Sequence, residues 1–319
     1  MRAGTRRALV LHLAVLAALF ALQFVLPDYH HRTFARILVL ASYAAGYNLL
    51  LGYTGLLSLG HAMLFAAGLY GAGLAVQYLG MNAASGFVIG VLSGLALALA
   101  VGLVALRTSG VAFMIVTLMF SQAAFLTTLY FAAFTRGDEG FVLPETSRQY
   151  QIGSLFFDLA EPGTRYNLAL LLFAVCLMAT FVLVRSPAGR VLVAIRENEA
   201  RTTMLGYHTF RYKLLALAVS GAISGAAGAG YALLFFYVGS TFASIQYSIL
   251  PLLWVLLGGV GTTLGPLIGT ALMFYLVDTI SGYTSAYLLV VGAALVLLVL
   301  LFPKGILGTV RARAAPWLP

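Results

Sequence analysis

Charge is what this sequence has least of. Asp, Glu, Lys and Arg together make up 8% of its 319 residues, against about 25% in an ordinary soluble domain, while 62% are hydrophobic. Water does not tolerate a surface built from that inventory. Acidic residues are scarcest, nine against 18 basic ones. Cysteine occurs once, at Cys176, so no intrachain disulfide is possible; inside an apolar run it reads as a small buried hydrophobe. A metal-ligand cluster, a G-x-x-x-x-G-K-[ST] phosphate loop and a nucleophile elbow are also missing. The expectation is a chain that is not an enzyme and holds no cofactor or metal. Strands alternating apolar and polar residues over about ten positions are absent as well, which excludes an outer-membrane barrel.

What is present is apolar sequence in long pieces. A hydrocarbon core about 30 Å thick needs about 20 apolar helical residues to cross it. Apolar runs occur at 8–26, 34–51, 62–79, 87–106, 111–134, 166–184, 214–237, 248–257, 266–277 and 285–302. The first follows Arg2, Arg6 and Arg7 as a signal peptide would, yet its 19 residues exceed the usual core of about 7–15 and no small-residue cleavage site follows. It reads as a retained helix. Gly258, Gly259, Gly261 and Gly265, followed by Pro266, interrupt the run near the C-terminus. Two short spans there give ten segments, and one broken span gives nine. The expected fold is an all-α, polytopic transmembrane bundle of nine to ten segments, with ten preferred.

The formal charge of +9 is spread over short segments between apolar runs, which argues against nucleic acid and for the positive-inside rule in a membrane of lipid. With the N-terminus cytoplasmic, Arg107, the six basic residues of 185–213 and the C-terminal Lys304, Arg311 and Arg313 also fall inside, thirteen of the 18 in all. Only Arg32, Arg36, Arg136, Arg148 and Arg165 fall outside, with Asp28, Asp138, Glu139, Glu145, Asp158 and Glu161. Ten crossings keep both termini cytoplasmic. The localisation expected is a multi-pass protein of the cell inner (plasma) membrane, residues 1–319 forming a single transmembrane domain, with 135–165 an extracytoplasmic loop and 185–213 a cytoplasmic segment.

Glycine recurs every four residues at Gly86, Gly90 and Gly94 and at Gly261, Gly265 and Gly269, with Gly221 and Gly225 as a pair. In lipid such faces let helix backbones approach closely. Ionisable residues near the spans are few, namely His12, Arg36, His61, Arg107 and Asp278. No charged intramembrane path of the kind ion-coupled pumps carry is visible.

The 186–213 segment has Ser186 to cap a helix, Pro187 for its first position and Gly206 for its end, and reads as one cytoplasmic helix. Ala188, Val191, Leu192, Ile195, Thr202 and Leu205 make an apolar stripe, and Glu197 and Arg201 an i, i+4 pair. Such a helix either lies among lipid headgroups or docks a cytoplasmic motor.

The run Ser186-Pro187-Ala188-Gly189-Arg190, then Ala194 to Arg201 and Leu205-Gly206-Tyr207, resembles permeases of branched-chain amino acid ABC importers, the LivM branch. Similar stretches are Gly52-Tyr53-Thr54-Gly55, Ser58 to Ala62, Gly110 to Thr117, Gly258 to Thr262 and Phe302-Pro303-Lys304-Gly305, so the resemblance covers nearly the whole chain. It implies an ABC importer permease architecture and a heteromeric assembly. The partners implied are a second homologous permease, two ATP-binding subunits and an extracytoplasmic solute-binding protein. Arg196, Glu197, Asn198, Glu199, Ala200 and Gly206 then correspond to the ATPase-coupling motif, with Glu199-Ala200-Arg201 where the family has Glu-Ala-Ala. Thr135 to Gly140 resembles a Thr-Gly-Gly-x-(Asp/Asn)-Gly stretch, with Arg136 where a small residue is expected. Gly137, Asp138, Glu139 and Gly140 are candidates for docking the binding protein, or belong to a plain solvated connector.

Gly52, Gly55, Ser58, Gly60 and His61, with Gly258, Gly259 and Gly261, mark helix breaks, and unwound backbone at membrane depth occurs where it is buried in protein or lines a cavity. They are the candidate translocation path. A helix starting near Ser58 to His61 would aim its positive end at a carboxylate; His61 is either a packed helix-start residue or a ligand. Two other readings stay open: a related ABC permease for urea, amides or other amino or aromatic acids, and an ion-coupled secondary transporter or channel.

Overall fold

The computed structural model describes residues 3–145, 149–152 and 155–313. Arg2 and Arg148, used above for orientation, lie outside them. The helices are α1 (Ala3–Leu22), α2 (Asp28–Asn48), α3 (His61–Leu79), α4 (Ala83–Ala105), α5 (Val111–Tyr130), α6 (Ala132–Thr135), α7 (Pro162–Arg185), α8 (Pro187–Glu197), α9 (Glu199–Met204), α10 (Thr209–Phe235), α11 (Ile245–Gly258), α12 (Gly265–Ser281), α13 (Tyr287–Leu301) and α14 (Ile306–Arg313). A π-helical turn, Leu49–Thr54, extends α2. The 135–165 segment holds more than loop: β1 (Phe141–Val142) pairs antiparallel with β4 (Tyr237–Val238), and β2 (Gln149–Ile152) with β3 (Leu155–Asp158).

The result is an all-α polytopic membrane bundle. Large apolar side chains such as Val88, Leu92, Met119, Leu171, Val175 and Val182 face outward, the arrangement lipid requires and water does not tolerate. Six helices among the described residues are long and apolar enough to cross a membrane: α2 with its π turn, α3, α4, α5, α7 and α10. That is fewer than the nine or ten expected. The C-terminal apolar runs fold as helices of 14, 17 and 15 residues, about 21–26 Å at 1.5 Å per residue, short of the hydrocarbon thickness.

Glycine sets the packing at the centre. A Cβ at Gly68 on α3 would overlap the Gly225 carbonyl of α10, and one at Gly94 on α4 would meet Gly225 Cα at 2.6 Å. Gly90 and Gly86 continue the α4 stripe against Gly68, Ala72 and Val76 of α3. The α4 glycines therefore share one packed face, as their spacing predicts. The second set does not: Gly261 lies in the break between helices, and only Gly265 and Gly269 sit on α12, where they press on Gly258 and Trp254.

One end of the bundle carries α8, α9 and α14, and the other carries the β1–β4 pairing. After β4 the chain turns back inward: Ser240, Phe242 and Ala243 are buried, and the Phe242 ring lies 4.8 Å from Tyr231 and 6.0 Å from Phe65. This re-entry explains the shortness of α11, which begins below the bundle surface with Ser244 capping the Tyr247 N–H. A groove of about 890 Å³ runs between α4, α7 and α10, lined by apolar residues including Phe87, Val91, Leu172, Cys176, Ala222 and Leu234. With only apolar side chains in its wall it suits hydrocarbon better than a zwitterion.

Candidate functional site

The two helix breaks lie against each other. The first is the π turn 49–54, then Gly55 at φ 75° and an irregular segment up to α3. The second runs from Gly259 (φ 127°) through Gly261 (φ 70°) to Gly265. Asn48 joins them: its Nδ2 donates to Thr262 O at 2.9 Å, and its Oδ1 accepts from the Gly261 N–H at 3.0 Å. At Gly52 a Cβ would overlap Asn48 Oδ1 and meet Gly261 N at 2.5 Å, so only glycine allows this approach. Interrupted helices leave carbonyls and amides that must find partners inside the protein. One asparagine amide supplies two of them.

His61 opens α3 and is wholly buried. Its Nε2 lies 3.2 Å from Ser220 Oγ and 2.9 Å from Ser224 Oγ, both on α10. Ser220 donates its own proton to Gly46 O, so Nε2 is the donor in that pair, and Nδ1 is left without a hydrogen-bond partner. Tyr43 stacks on the imidazole at 5.6 Å and Tyr47 meets it edge-on at 5.0 Å. Around the α3 start, Ser248 Oγ accepts from the Ala62 N–H at 2.9 Å, and Tyr47 donates to Ser58 O at 3.0 Å. Thr117 Oγ1, from α5, accepts from the Leu59 N–H at 3.3 Å. In this conformation a serine hydroxyl occupies the place where an anion would meet the helix end.

Gly52, Ser58, Gly60, His61, Gly258, Gly259 and Gly261 are all buried, while Gly55 is exposed beside Arg196. Sequence reasoning missed Asn48, Tyr43, Tyr47, Ser220, Ser224 and Ser248. A signal existed for Asn48, the lone amide in the 34–51 run, because a polar side chain inside a span is costly unless it is used.

The 186–213 segment starts as expected. Ser186 accepts from the Gly189 N–H, Pro187 takes the first position, and Val191, Leu192 and Ile195 are buried. It is not one helix, however. Asn198 adopts extended backbone (φ −162°, ψ 102°), ends α8 and caps α9 by accepting from the Arg201 N–H at 2.8 Å. The break abolishes the i, i+4 geometry of Glu197 and Arg201, and Glu197 pairs instead with Arg196 at 2.7 Å. It also turns Leu205 out of the apolar stripe: Leu205 is 71% and Met204 86% exposed, while Thr202 stays buried. Gly206 takes φ 87° past the end of α9.

Besides its buried apolar face, two polar contacts tie this segment to the bundle. Arg196 Nη1 donates to Gly52 O, the carbonyl of the first break. Glu199 forms an ion pair with Lys213 at the base of α10 at 2.6 Å, with the lysine side chain 6% exposed. Ala200 is exposed between them.

At the opposite end, Arg136, Gly137 and Gly140 take positive φ of 59°, 57° and 68°. Arg136 thus occupies a backbone conformation that glycine adopts without penalty, which is why a small residue suits that place. Asp138 accepts from Ser240 Oγ at 3.0 Å, and Glu139 O from Tyr237 at 3.1 Å, so this turn braces the re-entrant segment.

A polytopic helical bundle with paired, buried helix breaks and a half-exposed helix bonded to one of them has the build of a membrane permease. The chain belongs to the family described as "Branched-chain amino acid transport system / permease component", which matches residues 31–301. It is 30% identical over 286 residues to the high-affinity branched-chain amino acid transport system permease protein LivM of Escherichia coli K12, covering 84% of this chain and 67% of that protein. The Salmonella typhimurium LivM is 29% identical over the same share of each chain. The ribose import permease RbsC of Haemophilus influenzae is 30% identical over 162 residues, 47% of this chain and 50% of that one. No solved structure matches.

Proposed function

We propose that this chain is the membrane-spanning permease subunit of an ATP-driven ABC importer of branched-chain amino acids in the cell inner membrane. It works with a second, homologous permease, two ATP-binding subunits and an extracytoplasmic solute-binding protein. One observation carries the reading: Arg196, on a half-exposed amphipathic helix outside the long apolar spans, donates directly to the carbonyl of a buried helix break. An ATP-driven movement at the surface thereby has a physical route to the transport path. Identity to LivM supplies the substrate class.

In this reading the end carrying α8, α9 and α14 faces the cytoplasm, with both termini. Its support is the concentration there of Arg185, Arg190, Arg196, Arg201, Arg211, Lys213, Arg311 and Arg313. With α1, α11, α12 and α13 added to the six long helices, the chain crosses ten times. Arg196, Glu197, Asn198, Glu199, Ala200 and Gly206 couple to an ATP-binding subunit, whose docking the exposed Met204 and Leu205 favour. Gly137, Asp138, Glu139 and Gly140 receive the binding protein. The solute passes along Gly52, Gly55, Ser58, Gly60 and His61 and along Gly258, Gly259 and Gly261. On α5 only Phe113, Thr117 and Ser121 are buried, which leaves its remaining flank for the second permease.

The test is uptake of labelled leucine by inside-out-corrected vesicles from cells producing the complete system, with vanadate or an uncoupler. The expected result is uptake stopped by vanadate and indifferent to the uncoupler. Uptake that persists in vanadate and collapses with the uncoupler would replace the importer by an ion-coupled carrier.

A further inference from the structure

The Phe302-Pro303-Lys304-Gly305 stretch and the helix after it have no part in the mechanism so far, yet they press on its second break. Gly305 takes φ 71°, and a Cβ there would meet Gly259 Cα at 2.5 Å and Leu256 O at 2.6 Å. A Cβ at Gly259 would in turn meet the Gly308 N at 2.7 Å. One turn on along α14, on the same face as Gly308, Arg311 Nη1 donates to Gly261 O at 3.0 Å. Each break is thus bonded by an arginine from outside the long spans: Gly52 O by Arg196, Gly261 O by Arg311. Asn48 bridges the two breaks, and the place a Gly261 Cβ would take lies 3.2 Å from Arg196 Nη1.

We propose that Arg311 is a second coupling residue: α14 acts on the Gly258–Gly265 break as α8 acts on the Gly52 break, and Asn48 makes the two breaks move as one. This rests on the importer reading. A guanidinium on a carbonyl of interrupted backbone forms a charge-assisted bond, directional and stronger than one between neutral groups. Two such bonds on elements locked by a shared amide transmit a displacement of either helix to both walls of the path. Coupling of this sort requires a physical element biased from both sites, and the Asn48 clamp is that element.

The test uses the assembled transporter in proteoliposomes, comparing wild type with Arg311→Ala, Arg311→Gln and Arg311→Lys. The neutral variants are expected to hydrolyse ATP while uptake per ATP falls roughly tenfold, within the range of ordinary site-to-site coupling. Arg311→Lys, which keeps a cationic donor, restores most of it. Hydrogen exchange on the same preparations should show Arg311→Ala raising amide exchange at 259–264 and also at 49–57, and the second rise should vanish when Asn48→Ala is added. A parallel fall of hydrolysis and uptake, or exchange confined to 259–264 with Asn48 intact, overturns the proposal. Absence of ATP-dependent uptake by the wild-type assembly sinks the importer reading instead, and the exchange comparison then decides the linkage of the breaks alone.

Discussion

At the scale of single residues, the molecule is governed by where a Cβ has no room. Gly68 and Gly225 bring α3 and α10 into backbone contact, and neither neighbour is a flexible side chain that could move aside. Gly68→Ala is therefore expected to cost about 1–3 kcal/mol through overpacking, read as a lowered Tm in mild detergent. Gly163, in the first turn of α7 with nothing within 4 Å, is the control: Ala there should leave Tm unchanged or raise it slightly. Equal losses at both positions would mean that close approach at Gly68 is not what decides, since helix propensity alone favours Ala at either site. The four-residue spacing made the α4 stripe legible in advance, because a helix face is a local property. The need for glycine at Gly52 was not legible. It depends on Asn48 and Gly261, the latter more than 200 positions away, and no local pattern records that meeting.

At the scale of elements, the 186–213 segment shows what local signals can and cannot tell. Ser186, Pro187 and Gly206 mark its start and end, each through a rule that acts within one turn. The break at Asn198 escaped because asparagine costs a helix interior only about 0.7 kcal/mol or less, too little to see against good neighbours. As a cap it contributes about 1 kcal/mol, enough to divide the segment in two. Asn198→Ala is accordingly expected to free the Arg201 N–H and speed amide exchange over Glu199–Met204 about fivefold, the factor that about 1 kcal/mol gives. Exchange unchanged there would show that packing of Thr202, not the cap, holds α9. The same reasoning explains the C-terminal spans. Apolar runs were visible, but the burial of Phe242 beneath Tyr231 that shortens α11 is a tertiary contact.

At the scale of the whole molecule, the orientation proposed above makes a plain prediction. Cys176 is buried and the chain has no other cysteine, so an introduced one is read without competition. Glu139→Cys should react with a membrane-impermeant maleimide in intact spheroplasts, and Arg190→Cys only after the membrane is opened. The reverse pattern would invert the molecule and place the coupling segment outside. Composition alone announced a membrane bundle, since outward-facing apolar residues leave no other solvent. The depth of the 239–244 turn was hidden, because it is set by tertiary contacts of Phe242 with Tyr231 and Phe65. That depth sets the length of the insulating layer. Along α11 about 21 Å of helix separates the inner end of the re-entrant turn from the Gly258 break, against about 30 Å of hydrocarbon elsewhere. On the route proposed above, a solute at the level of Phe242 would have left nearly a third of the dielectric barrier behind before any gate needs to open.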